Sequence, residues 1–188
     1  MSSDIFSRPI DVSKYAVIYC GAQKNMGPAG TTLVIVKKSM LGKVKRAIPT
    51  MLNYETHIKK NSSFNTPPVY AIYVSMLTMQ WVKDNGGVAA MAKKNQAKAD
   101  LLYGEIDRNP LFEGSAAKED RSLMNVTFLP KNEAHAEPFI DACTAANCVG
   151  VKGHRSVGGF RASIYNAMPI ESVQVLVDVM KKFEMEIS

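Results

Sequence analysis

The chain has 188 residues, of which 46% are apolar and 21% charged, and a formal net charge of +6. That is enough chain to bury a sizeable core in one or two domains, and the composition is ordinary for a globular protein. No stretch approaches the roughly 20 apolar residues of a membrane span, and the basic residues fall in scattered pairs such as Lys37-Lys38 and Lys181-Lys182 rather than in a stripe interleaved with aromatics, which excludes the usual nucleic-acid footprint.

The opening MSSDIFSRP lacks a basic region followed by an apolar core, so no secretory signal is expected. Residues 1–14 read as an irregular connection, with turn chemistry at Ser7-Arg8-Pro9 and Asp11-x-Ser13. Val17–Cys20 and Thr32–Val36 read as buried strands. Gly21, Gly27, Pro28 and Gly30 shape a tight turn between them. Ser39 predicts a cap for a short helix across Met40–Arg46, which Pro49 ends. Residues 50–68 read as an extended loop of a length that is often functional. Thr66 predicts the cap of the next helix, whose apolar residues from Val69 to Val82 occupy more than one face. A largely buried helix is therefore expected there. Asp84-Asn85-Gly86-Gly87 terminates it, and a more polar helix follows from Val88 to about Arg108.

Beyond Asn109-Pro110 the pattern changes. Leu123–Leu129 reads as a strand, Glu137–Asn147 as a helix, Gly150–Gly159 as a glycine-rich loop and Phe160–Tyr165 as a strand. Pro169 opens a last helix with the apolar stripe Val173, Leu176, Val177, Met180 and Phe183. Short strands alternating with helices across residues 111–188 predict a compact α+β domain, with the boundary between residues 90 and 110.

Candidate chemistry begins with Lys24. A lysine offered from a tight turn beside a buried sheet can lose solvation, and its neutral amine can then attack a carbonyl carbon. On spacing alone the ordinary reading is a solvated loop lysine. Gln23 is either a plain turn residue or an uncharged donor to an anion. Asn65 and Thr66 are either a helix cap in a surface loop or phosphate ligands at a helix start. His154, Arg155 and Arg161 carry the chemistry of anion recognition, Arg through its planar fork and His through a second proton, although Gly-His-Arg is commonly a solvated loop. Cys143 and Cys148 fit neither a CxxC redox motif nor a zinc knuckle, and Cys20 lies on a predicted buried strand. An odd cysteine count without a framework predicts a reducing, cytoplasmic setting. His57 and His135 lack metal-ligand spacing, and no metal site is expected. No phosphate-cradling GxxxxGK[ST], zinc or serine-triad signature is present.

Four stretches together resemble one family, in its order and spacing. They are Cys20-Gly21-Ala22-Gln23-Lys24-Asn25-Met26-Gly27-Pro28-Ala29-Gly30; Ser2-Ser3 with Ser7-Arg8-Pro9; Asn65-Thr66-Pro67-Pro68; and Gly153-His154-Arg155 through Arg161-Ala162-Ser163. The family is the phosphoserine aminotransferases, pyridoxal-phosphate enzymes of the class V branch of the aspartate-aminotransferase superfamily. The resemblance implies an α/β chain of the fold-type-I transferases. Residues 1–95 would form the C-terminal portion of the cofactor-binding large domain and residues 96–188 the small α+β C-terminal domain. It implies that Lys24 forms a Schiff base with pyridoxal 5'-phosphate and shuttles the substrate Cα proton. Gln23 would bind the cofactor phosphate. Asn65 and Thr66 would reach the cofactor phosphate of the neighbouring subunit in a homodimer. Arg161 would take the substrate α-carboxylate, and His154 with Arg155 the substrate phosphate. The reaction implied is phosphoserine with 2-oxoglutarate to 3-phosphohydroxypyruvate and glutamate, and its reverse, in serine biosynthesis.

The resemblance covers only the C-terminal half of a family member. The aspartate that pairs with the pyridinium nitrogen in the family would fall one residue before Met1. On that ground the isolated chain is expected to be a weak or inactive catalyst. The alternatives are another class V aminotransferase or lyase, and a non-catalytic dimerisation module.

Overall fold

A computed structural model describes residues 1–187. Contacts divide the chain into two compact units, Met1–Val88 and a second that begins at Ala89.

The first unit is built on an antiparallel hairpin of β1 (Val17–Gly21) and β2 (Thr32–Val36), in register from Val17 opposite Val36 to Gly21 opposite Thr32. Alternation decides its faces: Ile18 and Cys20 are buried while Val17 and Tyr19 are exposed, as a period of two requires. Ile5, Cys20, Ala22 and Met26 form a small core beneath the turn, with Leu33 and Met79 packed against it. No helix forms over 40–46. A single 3-10 turn at Lys38–Met40 is followed by irregular chain, and Gly42 at φ +69° turns the backbone out of helical conformation.

A short α1 (Tyr54–Ile58) interrupts the expected loop, capped by the Asn53 side chain on the Glu55 N–H. Then comes α2 (Val69–Asp84), which Thr66 does not cap; Pro68 holds the cap position without a side-chain bond. Nor is α2 largely buried. Only Ala71, Ser75 and Val82 are buried, while Tyr70, Ile72, Tyr73, Met76 and Leu77 are exposed. A narrow stripe of small residues is what meets the hairpin: the Ala71 methyl lies by Gly30 and Ser75 by Gly27. Gly86 and Gly87, both at positive φ, separate α2 from α3 (Gly87–Arg108).

The second unit packs α3, α4 (Ala136–Ala145) and α5 (Ile170–Ile187) with an antiparallel sheet of order β3-β4-β5. Its strands are β3 (Phe112–Gly114), β4 (Asn125–Pro130) and β5 (Phe160–Ser163). Five phenylalanines meet at its centre: Phe112, Phe128, Phe139, Phe160 and Phe183, with edge-to-face and tilted ring contacts such as Phe139–Phe160 at 4.9 Å between centroids. The α5 stripe read from the sequence is the stripe that is buried. Among the described residues no helix is long and apolar enough to cross a membrane.

Candidate active site

Lys24 is exposed at the top of a turn whose backbone is fixed from three sides. The Ala22 carbonyl accepts from the N–H groups of Lys24, Met26 and Gly27 at 2.7, 3.1 and 2.9 Å, and the Ala22 N–H donates to Thr31 O across the hairpin. From one flank the buried Asn25 amide donates to Ser3 O at 3.0 Å and Ile5 O at 3.1 Å. Ser2 Oγ receives the Gly21 N–H at 2.9 Å. From the other flank α2 approaches so closely that a Cβ on Gly27 would lie 2.8 Å from Ser75 Oγ. The Cα of Lys24 is therefore held while its side chain is exposed. Beneath it Cys20 is fully buried, and burial pushes its thiol up.

Gln23 is also exposed, and its side chain folds over Gly21 into space that any Cβ there would occupy. Asn65 and Thr66 are exposed in the loop before α2, and the Asn65 amide donates to Thr66 O at 3.1 Å.

In the second unit, His154 and Arg161 line one cavity of about 260 Å³ with Ser115 and Thr127. Arg161 sits on β5 opposite Thr127, which fixes its Cα. His154 belongs to a loop closed by its own carbonyl, which accepts from the Val157 and Gly158 N–H groups, while its Nδ1 lies 2.7 Å from Ser156 Oγ. The loop returns through the Gly153 N–H donating to Gly159 O at 2.8 Å. A Cβ on Gly153 would overlap the Gly158 carbonyl oxygen. Arg155 is exposed in the same loop and is not part of the cavity wall. Among the described residues no cluster of His, Cys, Asp or Glu could hold a metal.

The sequence reading missed the positioning groups. Asn25 secures the lysine turn, Ser75 packs closely against it at Gly27, and the Ser115 hydroxyl donates to Thr127 Oγ1 at 2.6 Å beside Arg161. Asn25 follows Lys24 directly, yet nothing in the sequence says that its amide turns inward. Thr127 was legible only as a strand residue, because its relation to Arg161 depends on strand register.

The Aminotransferase class-V family model matches residues 1–176. The chain is 66% identical to the phosphoserine aminotransferase of Flavobacterium johnsoniae over 187 residues, all of this chain and 52% of that protein. Among solved structures, the phosphoserine aminotransferase of Bacillus circulans subsp. alkalophilus is 43% identical with a TM-score of 0.96, covering 100% of this chain and 52% of that one. A phosphoserine aminotransferase of Trichomonas vaginalis, solved with bound pyridoxal phosphate, is 42% identical with a TM-score of 0.90, over 96% of this chain and 52% of that one. This chain belongs to the class-V aminotransferase family, and its mixture of helix and sheet is that of an α/β fold. It spans about half the length of the curated relatives it matches.

Proposed function

We propose that this chain supplies the lysine and the substrate-anion groups of a phosphoserine aminotransferase, which exchanges the amino group of phosphoserine with 2-oxoglutarate to give 3-phosphohydroxypyruvate and glutamate, and runs the reverse in serine biosynthesis. The observation that carries the reading is Lys24, an exposed amine on a backbone locked by Ala22, Asn25 and Gly27, in a chain so similar to proteins of that name.

The residues present fit pyridoxal 5'-phosphate. An exposed amine and an exposed amide stand side by side at Lys24 and Gln23, and the bare Cα of Gly21 leaves room for the amide. When bound, the cofactor supplies the electron sink that allows a Cα–H bond to ionise. Lys24 Nζ is the attachment point for its aldehyde carbon and the base that carries the substrate Cα proton. Gln23 binds the cofactor phosphate without adding charge. Arg161 holds the substrate α-carboxylate, and His154 with Arg155 holds the phosphate, each through charge-assisted hydrogen bonds. Asn65 and Thr66 serve the cofactor of a neighbouring subunit in a homodimer, a role supported by their exposure. Residues 1–95 belong on this reading to the large domain and 96–188 to the small one. A cytoplasmic location is supported by three free thiols.

The test is borohydride reduction of the full chain after incubation with pyridoxal phosphate. The expected result is a reduced adduct on the Lys24 peptide, absent from Lys24→Ala. No adduct, or equal labelling of the variant, overturns the assignment. Substrate class is read by NMR titration: phosphoserine shifts the Arg161 and His154 resonances at concentrations where serine and alanine do not.

A further inference from the structure

Helix α4 ends in a left-handed turn that sets two cysteines side by side. The Cys148 N–H donates to Cys143 O at 2.8 Å and the Asn147 N–H to Thr144 O at 3.0 Å. Between them Asn147 has φ +58°. This pair of bonds across a left-handed residue is a Schellman closure, in which the residues at its two ends meet. Covalent lengths then bound the geometry. With Cys148 N held 2.8 Å from Cys143 O, the two Cα atoms lie within about 6.7 Å, inside the roughly 4.4–6.8 Å that a disulfide spans.

Both side chains pack on the same core. Cys143 is fully buried, whereas Cys148 is half-buried and lines a cavity of about 440 Å³ whose wall also includes Arg161. Cys148, which lines the cavity, is therefore the more accessible of the two to peroxide.

We propose that Cys143 and Cys148 are a peroxide-oxidisable pair that closes an intramolecular disulfide. The Cys148 thiolate sulfur bonds to one peroxide oxygen as the O–O bond breaks, and the departing hydroxide takes a proton to become water. The Cys143 sulfur then bonds to the Cys148 sulfur and expels its oxygen, which leaves as water with the two remaining protons. Two thiols are oxidised, one hydrogen peroxide is reduced, and two waters form. Burial raises the Cys148 thiol, and burial together with the neighbouring Cys148 pushes Cys143 up to about 12. Thiolate is scarce at neutral pH, so the reaction is slow there and accelerates as pH rises.

The test treats the full chain with hydrogen peroxide at about pH 8.5, blocks remaining thiols with maleimide after denaturation, and maps peptides by mass. The expected product has lost about 2 Da, carries one maleimide on Cys20, and yields a peptide bridged between Cys143 and Cys148. Cys148→Ser abolishes the bridge and Cys20→Ser leaves it intact; because Cys148 is only half-buried, that comparison does not depend on a Cys143 variant folding. Three maleimides on the oxidised wild-type chain overturn the proposal. So do a bridge involving Cys20, a bridge between two chains, or Cys148 recovered only as sulfinic acid.

Discussion

Lys98 Nζ donates to Tyr165 O at 2.7 Å from a position 2% exposed to solvent. It also donates to Ile164 O at 2.9 Å, and one turn earlier on α3 the Asn95 amide donates to Asn166 Oδ1 at 2.8 Å. Three consecutive residues just beyond β5 are thus tied to α3. β5 is the strand that carries Arg161.

The first prediction concerns pH. Burial draws the Lys98 pKa from 10.5 down to about 8. The unfolded chain keeps that proton up to its ordinary pKa, so between about pH 8 and 10.5 unfolding takes up a proton. The burial penalty applies in full below pH 8 and disappears as pH rises through that window, which corresponds to a relative gain of about 3 kcal/mol. The neutral amine still has two N–H donors, enough for both carbonyls. Tyr103 and Cys143 have raised pKa values and work in the opposite direction above their ordinary ranges. The clean observable is therefore a difference: urea stability of the wild type minus that of Lys98→Met should rise from pH 7 to pH 10. A flat difference would refute it.

A buried carboxylate gives the second. Glu105 is 4% exposed on α3. Burial alone would raise its pKa, but the Arg108 fork, with Nε at 2.9 Å and an Nη at 2.7 Å, and the Asn109 amide at 2.9 Å outweigh burial and hold it below its usual value. Arg108 also reaches Glu184 on α5. Removing the partner with Arg108→Ala leaves the buried charge with the Asn109 amide and the more distant Lys181 charge, at a cost of about 2–3 kcal/mol in urea unfolding. Since the folded pKa is depressed, the wild-type margin is present above the ordinary carboxylate range and is lost as pH falls through the folded pKa. The variant's deficit should shrink correspondingly in acid.

These two residues show where sequence reading stops. The apolar phase of α3 runs Met91, Asn95, Lys98, Leu102, Glu105 and Ile106, so three polar residues lie on its buried stripe. Their spacing was visible, but their partners, Ile164, Tyr165, Asn166, Arg108 and Asn109, come mostly from distant chain and were not. The positions of β1, β2, β4 and β5, the lysine turn and the α5 stripe were legible because each rests on local periodicity or turn chemistry, whereas the three-residue β3 was not foreseen and β2, expected to be buried, has no buried residue. The helix expected at 40–46 fails at Gly42, whose positive φ leaves helical conformation, and the Thr66 cap fails because α2 starts only at Val69, so the prolines lie before the helix rather than in its first turn. The exposed faces of α2 could not be read at all: apolar residues on several sides say that burial is available, not what covers them.

Gly153 offers a third prediction, on the loop that presents His154. A methyl there would overlap the Gly158 carbonyl oxygen and disturb the bond from the Gly153 N–H to Gly159 O. The neighbour is backbone, so it cannot rotate away. Gly153→Ala should open the loop at a cost of roughly 1–3 kcal/mol. The phenylalanine core of the second unit should stay intact. In NMR spectra the shifts should concentrate in residues 150–161, and proteolysis should move to that loop. Phosphoserine binding should weaken by at least about tenfold, the equivalent of 1.4 kcal/mol. Unchanged loop resonances would show that the backbone tolerates the methyl.

Asn25 sets the fourth. Its amide joins the lysine turn to Ser3 and Ile5; the bond to Ile5 O is buried and the bond to Ser3 O partly so. Asn25→Ala should leave two carbonyls without that donor and cost about 2–3 kcal/mol in the first unit. Asn25→Asp exchanges the donor for an acceptor facing those same carbonyls and should be worse at neutral pH, recovering partly in acid as the carboxyl gains a proton it can donate. The consequence for Lys24 is positional. Its amine stays exposed in both variants, so total labelling by a non-specific amine reagent should hardly change. Capture of pyridoxal phosphate should fall, because the Ala22–Gly27 backbone that aims the side chain is no longer held from that flank. Equal losses in both assays would mean that the turn has unfolded rather than shifted, and hydrogen exchange at the Met26 and Gly27 amides, which donate to Ala22 O, separates the two cases.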